Sequence, residues 1–209
     1  MLSVETMMRQ SAVIPVIVIE DPFHAVPLAN ALVSGGLKVL EVTLRTEFGV
    51  KAIQEMREQI PDAIIGAGTV RTVAELEQAC DAGAAFIVSP GFTPSIVKRA
   101  IELDVPILPG VNSPSEVMQL MELGLEHMKF FPAEAAGGVA MLKAMAGPLP
   151  HIKFCPTGGI TLANVEQYLA LKNVLCVGGT WMLNSQLIQD HNWDAIRAEA
   201  QKAAALRAD

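Results

Sequence analysis

Positive charge is scarce in this chain. Its 209 residues carry 15 Lys and Arg against 22 Asp and Glu, a formal net charge of −7 and a pI near 5.1. A nucleic-acid surface needs a basic face, so that class is excluded. An anionic small molecule is not excluded, provided that local cations and backbone N–H groups hold it. Cysteine is also sparse: Cys80, Cys155 and Cys176 are odd in number and form no CxxC. That rules out a disulfide framework and leaves free thiols, as expected of a cytoplasmic chain. No run reaches the roughly 18 uninterrupted apolar residues of a membrane span. Residues 1–10 include Glu5 and Arg9 and lack the apolar centre of a signal peptide. The four histidines, His24, His127, His151 and His191, are scattered and join no acid at metal-ligand spacing, which disfavours a metal-dependent mechanism. Low-complexity stretches and linkers are missing too, so residues 1–209 read as one domain.

What the chain has is a regular alternation. Hydrophobic residues make up 51% of it and charged residues 18%, enough for one sizeable core. β-Branched runs at 13–19, 38–44, 63–67, 85–89, 106–108, 126–131, 152–155 and 174–177 alternate with helical patterns. These begin near Asp21-Pro22, Gly49, Thr72, Pro94, Pro114, Val139 and Leu162, and a terminal helical region follows. Eight strand–helix units predict a (β/α)8 TIM barrel preceded by an N-terminal helical extension. A doubly wound open sheet would give similar local signals but does not explain eight units.

One strand is chemically unusual. In Glu126-His127-Met128-Lys129-Phe130-Phe131-Pro132-Ala133-Glu134, period-two alternation places His127, Lys129 and Phe131 on one face and Met128 and Phe130 on the other. A lysine there either snorkels to water or sits where its charge is disfavoured, and the second case makes a Schiff-base nucleophile. The other lysines are placed less well. Lys38 and Lys153 open strands, whereas Lys51, Lys98, Lys143, Lys172 and Lys202 fall in or beside helical patterns.

The second strand carries an acid. In Val39-Leu40-Glu41-Val42-Thr43-Leu44-Arg45, residues Glu41, Thr43 and Arg45 share a face. A buried acid is costly unless it is paired or used. Either Glu41 and Arg45 form a structural pair, or Glu41 transfers protons while Arg45 clamps a substrate carboxylate. Thr69, Ser89-Pro90-Gly91 and Pro109-Gly110 stand at similar strand ends.

Two glycine pairs close the pattern. Pro156-Thr157-Gly158-Gly159-Ile160 follows the seventh strand and Gly178-Gly179-Thr180-Trp181 the eighth. In barrels, the loops after strands seven and eight often bind phosphate through backbone N–H groups. No cation lies between Phe154 and Tyr168, so binding there would rest on those donors and on hydroxyls.

The runs 39–46, 66–70, 89–91, 129–134 and 154–160, in this order, resemble the bacterial 2-keto-3-deoxy-6-phosphogluconate (KDPG) / 4-hydroxy-2-oxoglutarate (KHG) aldolase family. The resemblance covers nearly the whole chain. It implies a class I, cofactor-free and metal-free aldolase on a (β/α)8 barrel, cytoplasmic and homotrimeric, in the Entner-Doudoroff pathway. Its small-molecule partners would be keto acids and phosphosugar acids. By that resemblance Lys129 is the Schiff-base lysine and Glu41 the acid/base. Arg45 and Thr69 hold the pyruvate carboxylate, and Pro90 and Phe131 line the pyruvate pocket. Thr157, Gly158, Gly159, Gly179 and Thr180 surround the phosphate end. Thr180 stands where a serine is expected and keeps the hydroxyl.

Two other classes share some of these features. A phosphosugar isomerase or epimerase would use the same glycine loops without needing a lysine inside an apolar strand. A non-catalytic phosphoester-binding barrel would need neither Glu41 nor Lys129, and burying both would be a desolvation cost without return.

Overall fold

Several helices begin where the sequence supplies caps. The Thr72 and Thr93 hydroxyls accept from the third N–H of the helices they open, and Ser113 with Glu116 forms a reciprocal capping box. Pro94 and Pro114 occupy first-turn positions, where no backbone donor is lost. The structure, a computed structural model, describes residues 2–206. Met1 and residues 207–209, which the sequence reading includes in the domain, lie outside the described residues.

In chain order the elements are α1 (Val4–Arg9), β1 (Val13–Ile17), a 3-10 turn at Pro22–His24, α2 (Ala25–Ser34), β2 (Val39–Thr43), α3 (Gly49–Gln59), β3 (Ile64–Gly68), α4 (Val73–Asp81), β4 (Ile87–Val88) and α5 (Pro94–Glu102). They continue with β5 (Ile107–Leu108), β6 (Gly110–Val111), α6 (Pro114–Glu122), β7 (His127–Phe130), α7 (Gly138–Ala146), β8 (Lys153–Pro156), α8 (Val165–Leu169), β9 (Val177–Gly179), α9 (Ser185–Gln189) and α10 (Trp193–Ala204). All pairings are parallel. One sheet has the order β5-β4-β3-β2-β1-β9 and the other β6-β7-β8. The result is an α/β fold on a curled parallel sheet, with helices following the strands as parallel crossovers require.

Strand parity sorts the core into two clusters. Leu40 and Val42 of β2, Met128 and Phe130 of β7 and Phe154 of β8 pack under the helices. The opposite parity, with Ile14, Val39, Phe86, Val88, Leu108, Cys155 and Cys176, forms a second cluster closed by Met7 and Met8 of α1. The N-terminal helix is therefore a plug: Ser3 caps it and its two buried methionines seal one end of the inner face.

Several sequence expectations shift: the first strand, expected at 13–19, ends at Ile17, and the fourth, expected at 85–89, is only Ile87–Val88. The fifth strand, expected at 106–108, is two short pieces, β5 and β6, because Pro109 between them has no N–H to give a ladder. The helix expected at 162–171 contracts to α8. The last strand, expected at 174–177, is Val177–Gly179, since its register partners are Val13, Ile14 and Pro15 of β1. Val174 contributes only a bridge to Phe154. Gly178 and Gly179 thus belong to the strand and not to the turn after it. The Thr157 side chain lies where a Gly178 Cβ would project, so only glycine fits there.

Replacing Phe154, fully buried with its ring edge-on to Phe130 at 6.3 Å, by alanine should cost about 3–5 kcal/mol. Urea unfolding should report it as a lower midpoint at unchanged m-value.

Candidate active site

The inner face of β2 and β7 brings two ionic side chains together. Lys129 Nζ donates to Glu41 Oε1 at 3.2 Å, and each residue is only 3% exposed. The lysine does not snorkel. Its neighbours in register are Gly110 on β6 and Cys155 on β8, while Glu41 stands between Val16 on β1 and Gly66 on β3. The Glu41 carboxylate lies directly over Gly68, where any Cβ would collide with it. Gly68 therefore leaves room for the carboxylate of a charged pair inside an apolar layer. The remaining buried polar groups nearby are satisfied: Thr43 Oγ1 donates to the Ile17 carbonyl at 2.9 Å and Ser89 Oγ to the Gly91 carbonyl at 2.5 Å.

Cys155 and Cys176 lie deeper on the same face. Their mutual hydrogen bond and burial hold the Cys176 thiol well above its ordinary value, so it is a neutral floor and no thiolate nucleophile.

Above the pair, the half-buried Phe131 ring lies 5.4 Å from Lys129 Nζ, and a cis peptide bond joins Phe131 to Pro132. Arg45 is exposed, two residues beyond the end of β2. Its Nε donates to Thr69 Oγ1 at 3.1 Å, so it pairs with the threonine and not with Glu41. The structural Glu41–Arg45 pair considered from the sequence does not form. Thr69 has φ +59°, a left-handed conformation that costs a β-branched residue about 1–3 kcal/mol. Pro90 is exposed, and its backbone passes against Gly110, the register partner of Lys129.

The expected phosphate residues divide. Thr157 is buried and bridges to Gly178, and its hydroxyl makes a long 3.5 Å contact with the Cys155 carbonyl. Gly158 and Gly159 form the turn after β8, with φ +102° and +79°. Gly179 is buried within β9, against Trp181, and Thr180 is exposed just beyond it. The N–H groups of Gly159 and Thr180 have no acceptor among the described residues. Thr180 also borders a cleft of about 410 Å³ that runs past Val16, Ile17, Glu20, Asp21 and Gln189. Neither Glu41 nor Lys129 lines this cleft; Val16, the register partner of Glu41, does. No sequence motif marked it. Among the described residues no group of three His, Cys, Asp or Glu could hold a metal ion.

Sequence reasoning assigned no role to Glu134 or Tyr168, although Glu134 ends the quoted motif. The Tyr168 hydroxyl donates to Glu134 Oε1 from a fully buried ring. The available signal was that Tyr168 is the chain's single tyrosine, on a helix facing the core.

Comparison with known proteins shows the family. The family model of KDPG and KHG aldolase matches residues 4–199. The 2-dehydro-3-deoxy-phosphogluconate aldolase of Dickeya dadantii is 50% identical over 203 residues, covering 97% of this chain and 95% of that protein. The KHG/KDPG aldolase of Escherichia coli K12 is 48% identical over 201 residues, covering 96% and 94%. Among solved structures, a KDPG aldolase of Legionella pneumophila with pyruvate captured as a covalent carbinolamine intermediate is 46% identical. It covers 96% of this chain and 98% of its own, at a TM-score of 0.94. The chain belongs to the KDPG and KHG aldolase family.

Proposed function

We propose that this protein is a class I aldolase that cleaves 2-dehydro-3-deoxy-6-phosphogluconate to pyruvate and glyceraldehyde 3-phosphate. It would also cleave 4-hydroxy-2-oxoglutarate to pyruvate and glyoxylate. The observation that carries this reading is the buried Lys129–Glu41 contact at 3.2 Å. Cleaving a carbon–carbon bond β to a ketone leaves a carbanion, which needs an electron sink. Lys129 Nζ, having passed a proton to Glu41, adds to C2 of the keto acid to form a carbinolamine. Glu41 gives that proton to the departing C2 hydroxyl, which leaves as water, so the protonated imine forms and the carboxylate is ionised again. The C4 hydroxyl then yields its proton to the ionised Glu41 as the C3–C4 bond breaks. The bonding electrons flow into the imine, so the aldehyde departs and an enamine remains. Glu41 returns a proton to C3, directly or through a water, and hydrolysis releases pyruvate and the free lysine.

Around this centre the guanidinium of Arg45, steadied by Thr69, receives the keto-acid carboxylate as a bidentate donor. Phe131 and Pro90 wall the three-carbon half. The distal phosphate sits on the turn at Gly158 and Gly159 and on Thr180. There the free N–H groups of Gly159 and Thr180 and the Thr180 hydroxyl supply donors where cations are missing. Thr157 and Gly179, both buried, support this end from below. Burial of the ionic pair disfavours a phosphosugar isomerase or a binding-only barrel, neither of which needs it.

The same reading takes the two sheets as one closed eight-stranded (β/α)8 barrel and the 209 residues as one domain. Its supports are the position of β5 and β6 on either side of Pro109 and the Thr157–Gly178 bridge between β8 and β9. A cytoplasmic homotrimer is part of the proposal and rests on the family. Among the described residues no helix is long and apolar enough to cross a membrane.

Treating the protein with pyruvate and borohydride should add a reduced pyruvyl group to Lys129, located by peptide mass spectrometry. Labelling elsewhere, or none, would end the proposal. Glu41→Gln should lower kcat for cleavage about 10²–10⁴-fold with a much smaller change in substrate binding; steady-state kinetics with near-normal turnover would remove the acid/base role. Thr180→Val should raise KM for the phosphorylated substrate and leave that for 4-hydroxy-2-oxoglutarate nearly unchanged. Gly159 is a poorer probe of the phosphate. Its φ of +79° and the Glu134 Cγ 2.6 Å from any Cβ would couple ligand crowding to backbone strain.

A further inference from the structure

The turn at Gly158–Gly159 is too polar and too glycine-rich to hold its own shape. Two glycines with positive φ have many other conformations open to them, so something outside the turn must select this one. Three contacts come from the segment after β7. The Ala133 N–H donates to the Thr157 carbonyl at 2.8 Å and the Glu134 N–H to the Gly158 carbonyl at 3.1 Å. The third is the Glu134 side chain, whose Cβ and Cγ lie beneath Gly159, on the side where a Cβ would project. On the far side, Asn164 Nδ2 donates to the Gly159 carbonyl at 3.1 Å, while Asn164 Oδ1 accepts from the Thr161 N–H at 2.8 Å.

The turn from Pro132 to Gly137 holds its own backbone by hydrogen bonds, but Glu134 is exposed, so the turn alone leaves its side chain free to swing away. It is stopped by Tyr168. The tyrosine ring is fully buried on α8 and its hydroxyl donates to Glu134 Oε1. Close approach requires a residue without a side chain, and Gly138 provides it: a Cβ there would sit 3.0 Å from the Tyr168 hydroxyl and 3.3 Å from Glu134 Oε1. Burial and the neighbouring carboxylate push the Tyr168 phenol well above its ordinary value, so it stays protonated and remains a donor. The helix after β8 thereby grips the segment after β7, which in turn grips the turn after β8.

We propose that Glu134 and Tyr168 are positioning residues for the distal end of the substrate: they hold the Gly158–Gly159 turn in the conformation that presents its free N–H groups to the phosphate. This rests on the aldolase reading above and adds two residues to it. Neither residue touches the imine centre, so the pair governs affinity for the phosphorylated half and not the chemistry at C2.

The test uses Tyr168→Phe, Glu134→Ala and Glu134→Gln, each assayed with the phosphorylated six-carbon keto acid and with 4-hydroxy-2-oxoglutarate, alongside pyruvate–borohydride trapping. Tyr168→Phe and Glu134→Ala should raise KM for the phosphorylated substrate by about tenfold or more, the scale of one lost charge-assisted hydrogen bond. They should leave kcat, the KM for 4-hydroxy-2-oxoglutarate and trapping at Lys129 close to wild type. Glu134→Gln keeps both an acceptor and the methylenes beneath Gly159, so it should restore most of the affinity lost in Glu134→Ala. Unchanged KM, an equal rise on both substrates, or no recovery with glutamine would overturn the positioning role. Loss of trapping in the variants would do so as well, because it would place the effect at the lysine or the fold. No trapping in the unsubstituted protein would instead overturn the aldolase reading.

Discussion

A lysine and a glutamate 3.2 Å apart in an apolar layer set the terms for everything near them. Removing two charges from water costs several kcal/mol each after relaxation, and a buried pair seldom recovers more than it lost. Such a pair persists when geometry over-determines it. Here Gly68 lies beneath the Glu41 carboxylate and clears the volume that it fills, while Gly66 and Gly110, in register with the two residues, admit the Phe86 ring and the Pro90 backbone. The parallel register of β2 against β1 and β3, and of β7 against β6 and β8, fixes where each side chain leaves the backbone. An apolar layer of comparable volume would be at least as stable. A pair with no return in stability fits the proposed chemistry, which requires proton exchange between amine and carboxylate.

The proposed phosphate end poses a different problem. A chain with net charge −7 and no cation between Phe154 and Tyr168 has little side-chain charge to offer a phosphate there. Backbone donors can replace cations, but only if a flexible glycine turn is held still. The contacts among the β7–α7 segment, α8 and that turn supply the restraint, with an anionic Glu134 kept in place by a neutral, buried tyrosine. The methylenes of Glu134, and not its oxygens, face Gly159, an arrangement compatible with the phosphate site proposed there.

Much of this was legible beforehand. Alternation gave the facing of Glu41 and Lys129 because a strand's period is two, whatever surrounds it. The helices were readable from their Thr, Ser and Pro start signals, which act locally. Errors fell where local signals are weak. The last strand was expected three residues early at its start, since Val174-Leu175-Cys176-Val177 is the more apolar run; pairing with Val13–Pro15 selected Val177–Gly179 instead. The break at Pro109 follows from a missing donor, a rule that the sequence expresses but an apolar count overlooks.

The sequence by itself determined which residue types face inward, the order of the strand–helix units and the family motifs, because propensity, capping and parity depend on near neighbours. Only the tertiary structure decided which inward residues meet. It paired Arg45 with Thr69 and not Glu41, buried Gly178 beneath Thr157, and joined Glu134 to a tyrosine 34 positions away. Those choices depend on register and curvature across strands distant in the chain, and no local pattern encodes a distance between them.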